Sequence, residues 1–309
     1  MTRTYLWFPV LFMFSLMSCD NTSEQSTQTT FPDFDVEGHR GARGHYPENT
    51  VDGFLLAVDM GVNTLEMDAV MTKDGELILS HEPWMSHIIC QSAAGDTLSS
   101  DIQAHNIYKM TLEEVQSYDC GSLPHPDFPD QQKVAATKPR LADVIEVVEG
   151  KIRGEERADI WYNIETKTDP RGDNMFHPAP EPFVDALVSV IEEKGIAARA
   201  VIQSFDLRTL QVAHTKYPDI KLALLVGDTT APAVYLDSLG FTPYIYSCRY
   251  TLLEKQDIVN LQRQGMKVIP WTVNQPADIQ RLMGWGVDGI ISDYPDRVIA
   301  VQKQKTGGS

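Results

Sequence analysis

His39 and Arg40 stand side by side in Gly38-His39-Arg40-Gly41-Ala42-Arg43-Gly44, a glycine-relieved turn closed by Pro47-Glu48-Asn49-Thr50. An imidazole trades protons near neutral pH, and a guanidinium can grip two phosphate oxygens at once, so the pair suits work on a phosphate ester. Glu66 and Asp68 lie two apart in a strand-like run, which points both to one face while Met67 points to the other. Asn163, Glu165 and Lys167 share a face for the same reason. His81 closes a further apolar run, Leu77-Ile78-Leu79-Ser80-His81. Three oxygen ligands with no cysteine, Glu66, Asp68 and Glu165, select a hard divalent cation, Mg²⁺ or Ca²⁺. Two imidazoles at strand ends, His39 and His81, suit a reaction in which one group takes a proton and another gives one. Arg40 and Lys167 can reduce the charge that builds on phosphorus. Glu48 either orients Arg40 or a histidine, or caps the helix that follows it.

These residues need strands that end together. Strand-like runs are legible at Val36–His39, Thr64–Val70, Glu76–His81, Asp159–Thr166, Ala200–Phe205, Lys221–Val226, Tyr244–Ser247, Lys267–Val273 and Gly289–Ser292, with helix-like runs between most of them. The pattern is that of a parallel α/β fold, and the roughly 280 residues after the leader and the polar segment that follows it suit one (β/α)₈ TIM barrel, whose strand C-termini meet at a single mouth. Nine runs are one too many, and Tyr244–Ser247 or Gly289–Ser292 is expected to be peripheral. After Pro47-Glu48, Asn49 or Thr50 can cap a helix whose Val51, Phe54, Leu55 and Val58 recur at helical spacing, and Gly61 can end it. Lys73-Asp74-Gly75 instead links two strand-like runs with no helix.

Taken in order and spacing, the His39-Arg40 turn, Glu66-Met67-Asp68, His81 and Glu165-Thr166-Lys167 resemble the glycerophosphodiester phosphodiesterase family, from about Val36 to about Arg297. The resemblance implies a TIM barrel spanning 36–300 with a small insertion after the third strand, at about 82–140, beside the mouth. It implies one divalent cation on Glu66, Asp68 and Glu165, with His39 and His81 as base and acid; His39 is given the base's part, though the two could be exchanged. Trp271 matches a position whose ring borders the substrate. The activity implied is hydrolysis of a small-molecule glycerophosphodiester to glycerol 3-phosphate and an alcohol, possible through a cyclic phosphate. An alternative is phospholipase D-like or sphingomyelinase-like action on intact lipids; another, of a different class, is a non-catalytic lipoprotein that binds glycerophosphodiesters. A common family variant carries Asp after the second histidine, where this chain has Glu82-Pro83-Trp84, so the pocket beside His81 should differ in shape. The tail from Gly286 to Pro295 also fits the family and reads as closure of the barrel.

The ends and composition set the context. Arg3, an apolar run from Leu6 to Met17 and Leu16-Met17-Ser18-Cys19 read as a signal peptide over 1–18 with a lipobox, Cys19 being the lipidated residue. A run this short suits a secretory leader better than a membrane span. Residues 20–31 are mostly polar and read as a flexible tether, so the expected protein is exported and held to the bacterial cell envelope by a lipid anchor. The formal net charge of −17 disfavours nucleic acid as a partner. With Cys19 lipidated, three cysteines remain; export permits a Cys90–Cys120 bridge, and no C-x-x-C spacing argues for zinc. His81-Glu82 followed by His87 is not the H-E-x-x-H of zinc proteases, and neither G-x-S-x-G nor a P-loop occurs.

Overall fold

The computed structural model describes residues 30–306, together with Met1, Thr2 and Thr4; the leader, Cys19 and nearly all of the tether lie outside the described residues. Eight parallel strands form the barrel: β1 (Asp35–Gly38), β2 (Thr64–Met71), β4 (Trp161–Thr166), β5 (Ala200–Ser204), β6 (Lys221–Val226), β7 (Ile245–Cys248), β8 (Lys267–Val268) and β9 (Gly289–Ser292). Their order is β8-β7-β6-β5-β4-β2-β1-β9. The chain beyond β8 completes the circle, because Asp288 N donates to Val268 O, Ile291 N to Pro270 O and Val273 N to Ile291 O at 2.9–3.0 Å. Pro270 has no N–H to give, so this seam is sparser than the other ladders.

The surplus strand is neither of the two expected. Ile245–Cys248 and Gly289–Ser292 both belong to the barrel, and β3 (Leu77–Leu79) is the outsider, pairing antiparallel with β2 through Ala69↔Leu79, Val70↔Ile78 and Met71↔Leu77. The reason lies in the short Lys73-Asp74-Gly75 link. A parallel neighbour requires a crossover of a dozen or more residues, so so short a link can only fold back as a hairpin.

Helices cover the outside: α1 (Val51–Met60), α3 (Leu141–Gly154), α4 (Pro180–Glu193), α5 (Leu207–Lys216), α6 (Pro232–Leu239), α7 (Lys255–Arg263), α8 (Pro276–Trp285) and α9 (Pro295–Thr306). In α1, Thr50 is the cap, accepting from Gly53 N, and Gly61 ends the helix at φ 95°, a conformation glycine adopts without a Cβ penalty. Phe54, Ala57 and Val58 are buried against the outward side chains of the strands. Residues 80–140 hold one short α-helix, α2 (Leu112–Gln116), preceded by a 3-10 turn at Ile107–Lys109, and a small apolar cluster of their own. That cluster includes Val70 and Ile78, so the insertion is built onto the β2–β3 hairpin. Cys90 and Cys120 are disulfide-bonded across a separation of 30 residues, a loop whose closure restricts the unfolded chain by an amount worth roughly 3–4 kcal/mol.

Alternation fills the barrel interior. Trp161, Val201, Ala223, Ile245, Ile269 and Ile291 form an inner apolar cluster, while Asp35, Glu37, Thr64, Asn163 and Gln203 are buried polar neighbours on the same strand faces. Phe31, at the edge of the expected tether, packs edge-on against Trp161 at 4.9 Å and Tyr244 at 5.4 Å between centroids. These rings stand where β4 and β7 begin, so Phe31 closes the end of the barrel opposite the mouth.

Candidate active site

Parallel pairing of β2 with β4 sets Glu66 against Asn163 and Asp68 against Glu165. Inward alternation then brings Glu66, Asp68 and Glu165 together, with one carboxylate oxygen from each lying within 4.8 Å of the others, all three residues buried. Burial and the neighbouring Asp68 charge push the Glu66 carboxyl well above its usual range. Burial likewise raises Glu165, against the pull of Lys167. Asp68 goes the other way: burial opposes its ionisation, but Lys167 and Arg40 outweigh it and hold it well below the ordinary value. Lys167 Nζ sits among these acids, 2.8 Å from Glu165 Oε1 and 3.5 Å from Asp68 Oδ1.

The first motif leaves strand geometry directly after Gly38. β1 ends at Gly38, and Arg40 has φ 50°. This break turns Arg40 to the same side as His39: its backbone N donates to Glu66 Oε2 at 2.9 Å, and its guanidinium reaches Glu48 Oε2 at 3.0 Å and Asp68 Oδ2 at 3.2 Å. Gly41 follows at φ 89°, where a Cβ would meet the Gly53 backbone at 2.7 Å. Glu48 is paired with both Arg40 and Arg43, and their charges overcome its burial to hold the carboxyl far below its usual range. It orients Arg40, while the helix is capped by Thr50.

Each histidine is held from behind by a carboxylate. His39 Nδ1 lies 2.6 Å from Asp293 Oδ1, and His81 Nδ1 lies 2.7 Å from Glu82 Oε1. An ionised carboxylate can only accept, so each Nδ1 carries a proton and each Nε2 is the nitrogen left to take or give one in the cavity. His39 Nε2 faces the acid cluster, 4.0 Å from Glu66 Oε2. Burial lowers the His39 pKa, partly offset by Asp293. His39, Arg40, Glu66, His81, Glu165 and Trp271 line one cavity of about 230 Å³. Trp271 is fixed there by donating Nε1–H to Ser247 O at 3.0 Å and by an edge-on contact with Phe205. Lys167 borders the adjoining space.

Several residues of the site were not foreseen. Asp293 sits in the tail read as barrel closure, and Asn274 grips it, with Nδ2 donating to Asp293 Oδ2 at 2.6 Å. Asn49 clamps Asp68 from both sides, its Nδ2 donating a hydrogen bond to Oδ2 and its Oδ1 accepting one from the Asp68 backbone N. Gln203 Nε2 donates to Glu66 Oε1 at 2.7 Å, and its own oxygen accepts from Asn163, which also bonds Glu37. Lys138, buried in the insertion, adds a cation near Glu48 and Glu82. Glu82 was noted only as a departure from the family pattern, whereas its carboxylate holds His81.

The model of the glycerophosphoryl diester phosphodiesterase family matches residues 39–297. A glycerophosphodiester phosphodiesterase of Caldanaerobacter subterraneus subsp. tengcongensis is 28% identical over 269 residues, covering 85% of this chain and 96% of that one. One from Bacillus altitudinis is 28% identical over 271 residues, covering 87% and 98%. Among solved structures, a putative glycerophosphoryl diester phosphodiesterase of Silicibacter pomeroyi superposes with a TM-score of 0.79 at 27% identity, covering 90% of this chain and 96% of that one. With the barrel, the motifs and nearly full-length relatives in agreement, the chain belongs to the glycerophosphoryl diester phosphodiesterase family.

Proposed function

We propose that this chain hydrolyses glycerophosphodiesters to glycerol 3-phosphate and an alcohol, with His39 as base, His81 as acid and one divalent cation, Mg²⁺ or Ca²⁺, on Glu66, Asp68 and Glu165. The observation that carries the reading is the pair of carboxylate-backed histidines lining one cavity with Arg40 and the acid cluster. The triad fits a hard cation: its donors are all oxygen, they converge, and the raised Glu66 and Glu165 carboxyls reflect negative charge crowded into a buried site. When bound there, such a cation supplies positive charge that acidifies a nearby hydroxyl and screens the phosphate.

The chain's own groups then account for the proton traffic. His39 Nε2 takes the proton of the glycerol 2-hydroxyl as its oxygen bonds to phosphorus. The bond from phosphorus to the leaving alcohol breaks, and that oxygen receives its proton from Nε2 of His81, which enters the cycle doubly protonated with its Nδ1–H held by Glu82. Water opens the resulting cyclic phosphate with the roles reversed: His81 takes a proton from water, and His39 returns one to the glycerol oxygen. Diester and water are consumed, glycerol 3-phosphate and alcohol are released, and both imidazoles return to their starting state. Arg40 and Lys167 hold phosphate oxygens, and Trp271 walls the glycerol side. The test is a panel of glycerophosphodiesters assayed for glycerol 3-phosphate with and without chelator. Release that chelation abolishes and added Mg²⁺ or Ca²⁺ restores is expected; binding without release would leave only a non-catalytic binder.

We also propose that the protein is exported and lipid-anchored through Cys19, on the strength of the leader's sequence alone.

A further inference from the structure

A second cavity, of about 630 Å³, opens beside the catalytic one and shares Glu165 and Phe205 with it. It lies on the His81 side, because Pro83 and Trp84, which directly follow His81 and Glu82, form part of its wall. Ile102 from the insertion and Phe176 from the loop after β4 complete an apolar lining with Phe205. The two walls are fastened together: Trp84 meets Phe176 at 5.8 Å between centroids, and Asn106, buried, donates to Met175 O at 2.9 Å. Ile102 and Phe205 nevertheless remain 39% and 44% exposed, so the cleft keeps apolar side chain open to an incoming group next to the reaction centre.

The charges in this cleft are already spoken for. Asp169 is held by Arg171 through two bonds of 2.8 and 3.0 Å, and Glu165 is paired with Lys167. A quaternary ammonium group would find the rings attractive but would sit beside two cations, Lys167 and Arg171, with no spare carboxylate, whereas a hydrocarbon segment gains from the aromatic and aliphatic walls alike and meets no repulsion. Resting on the phosphodiesterase reading above, we propose that the cleft is the subsite of the leaving alcohol and takes an alcohol bearing a hydrocarbon chain. The diester's glycerol phosphate occupies the smaller polar cavity, and the chain-bearing alkoxide leaves past His81, which protonates it, along Trp84, Ile102 and Phe176.

The experiment uses glycerol 3-phosphate esters of n-alkanols from ethanol to octanol, each below its micelle-forming concentration, with the full chain. A half-buried methylene is worth about a factor of two in affinity, so kcat/KM should rise at least tenfold from ethyl to octyl. The readout is the octyl-to-ethyl ratio within each variant. Ile102→Asp, on an exposed loop, and Phe176→Ala should each bring that ratio towards one. A flat wild-type series, or a ratio that both variants leave intact, overturns the assignment. No turnover of any member, the ethyl ester included, would refute the phosphodiesterase reading itself.

Discussion

Imidazole nitrogens decide what the two histidines can do. With Nδ1 of each engaged by a carboxylate, both present Nε2 to the same cavity, so their division of labour must come from position. His39→Ala and His81→Ala should each lower kcat by about 10²–10⁴-fold on a choline-type diester. A nitrophenyl leaving group needs little acid help, so it should rescue His81→Ala and leave His39→Ala impaired; rescue of the other variant would exchange the roles. Asp293 is a positioning residue whose loss should act through His39. Asp293→Asn replaces an obligate acceptor by a group that can donate to Nδ1, which favours the tautomer with its proton on Nε2, the wrong one for a base. The expected result is a kcat at least tenfold lower with KM within about threefold. A KM change with kcat preserved would make Asp293 merely structural.

At the scale of elements, strand periodicity made the acids legible. Glu66, Asp68 and Glu165 could be placed on one inner face because side chains alternate strictly along a strand, and β2–β4 pairing does bring them together. The supporting partners were hidden because nothing local announces them. Asp293 lies 254 residues from His39, and Gln203 lies 137 from Glu66, so those bonds exist only once the barrel has closed. The surplus strand is hidden for a different reason: Leu77–Leu79 has the same apolar, strand-like composition as the barrel strands, and only its antiparallel pairing with β2 sets it outside the barrel. Deeper in the same barrel, Asp35 has one oxygen bonded to Thr64 and lies beside Glu37, a second buried carboxyl that burial and the Asp35 charge push well above its usual range. Burial raises its pKa from 3.8 to about 6. Between those values the folded chain keeps a proton that the unfolded chain has lost, so this group makes stability fall as pH rises from about 4 to 6, and its penalty is complete above 6. Asp35→Asn removes the titration. Its melting temperature relative to wild type should therefore increase from pH 4 to pH 7; a difference independent of pH would contradict the account.

For the whole molecule, the acidic surface and the centrally neutralised site describe a protein that repels polyanions yet handles a small one. Its net charge is −17, while Arg40, Arg43, Lys138 and Lys167 gather around the mouth. Attachment is the corresponding whole-molecule prediction. Cys19→Ala should release the protein from the membrane fraction and abolish labelling by a fatty-acid probe; labelling that survives the substitution would remove the lipoprotein reading.

Phe31 gives the proposed attachment a direction. Because its ring closes the barrel floor, the polypeptide enters the domain from the pole opposite the catalytic opening. A dozen residues reach at most about 40 Å even when fully drawn out, and more commonly span about 20 Å. A domain of this size measures roughly 50 Å across. Fastened to a bilayer, a resin or a sensor chip through its N-terminus, the enzyme would stand with its back to the support and its opening towards the bulk liquid, sampling dissolved monomers in preference to molecules packed in the surface beneath it.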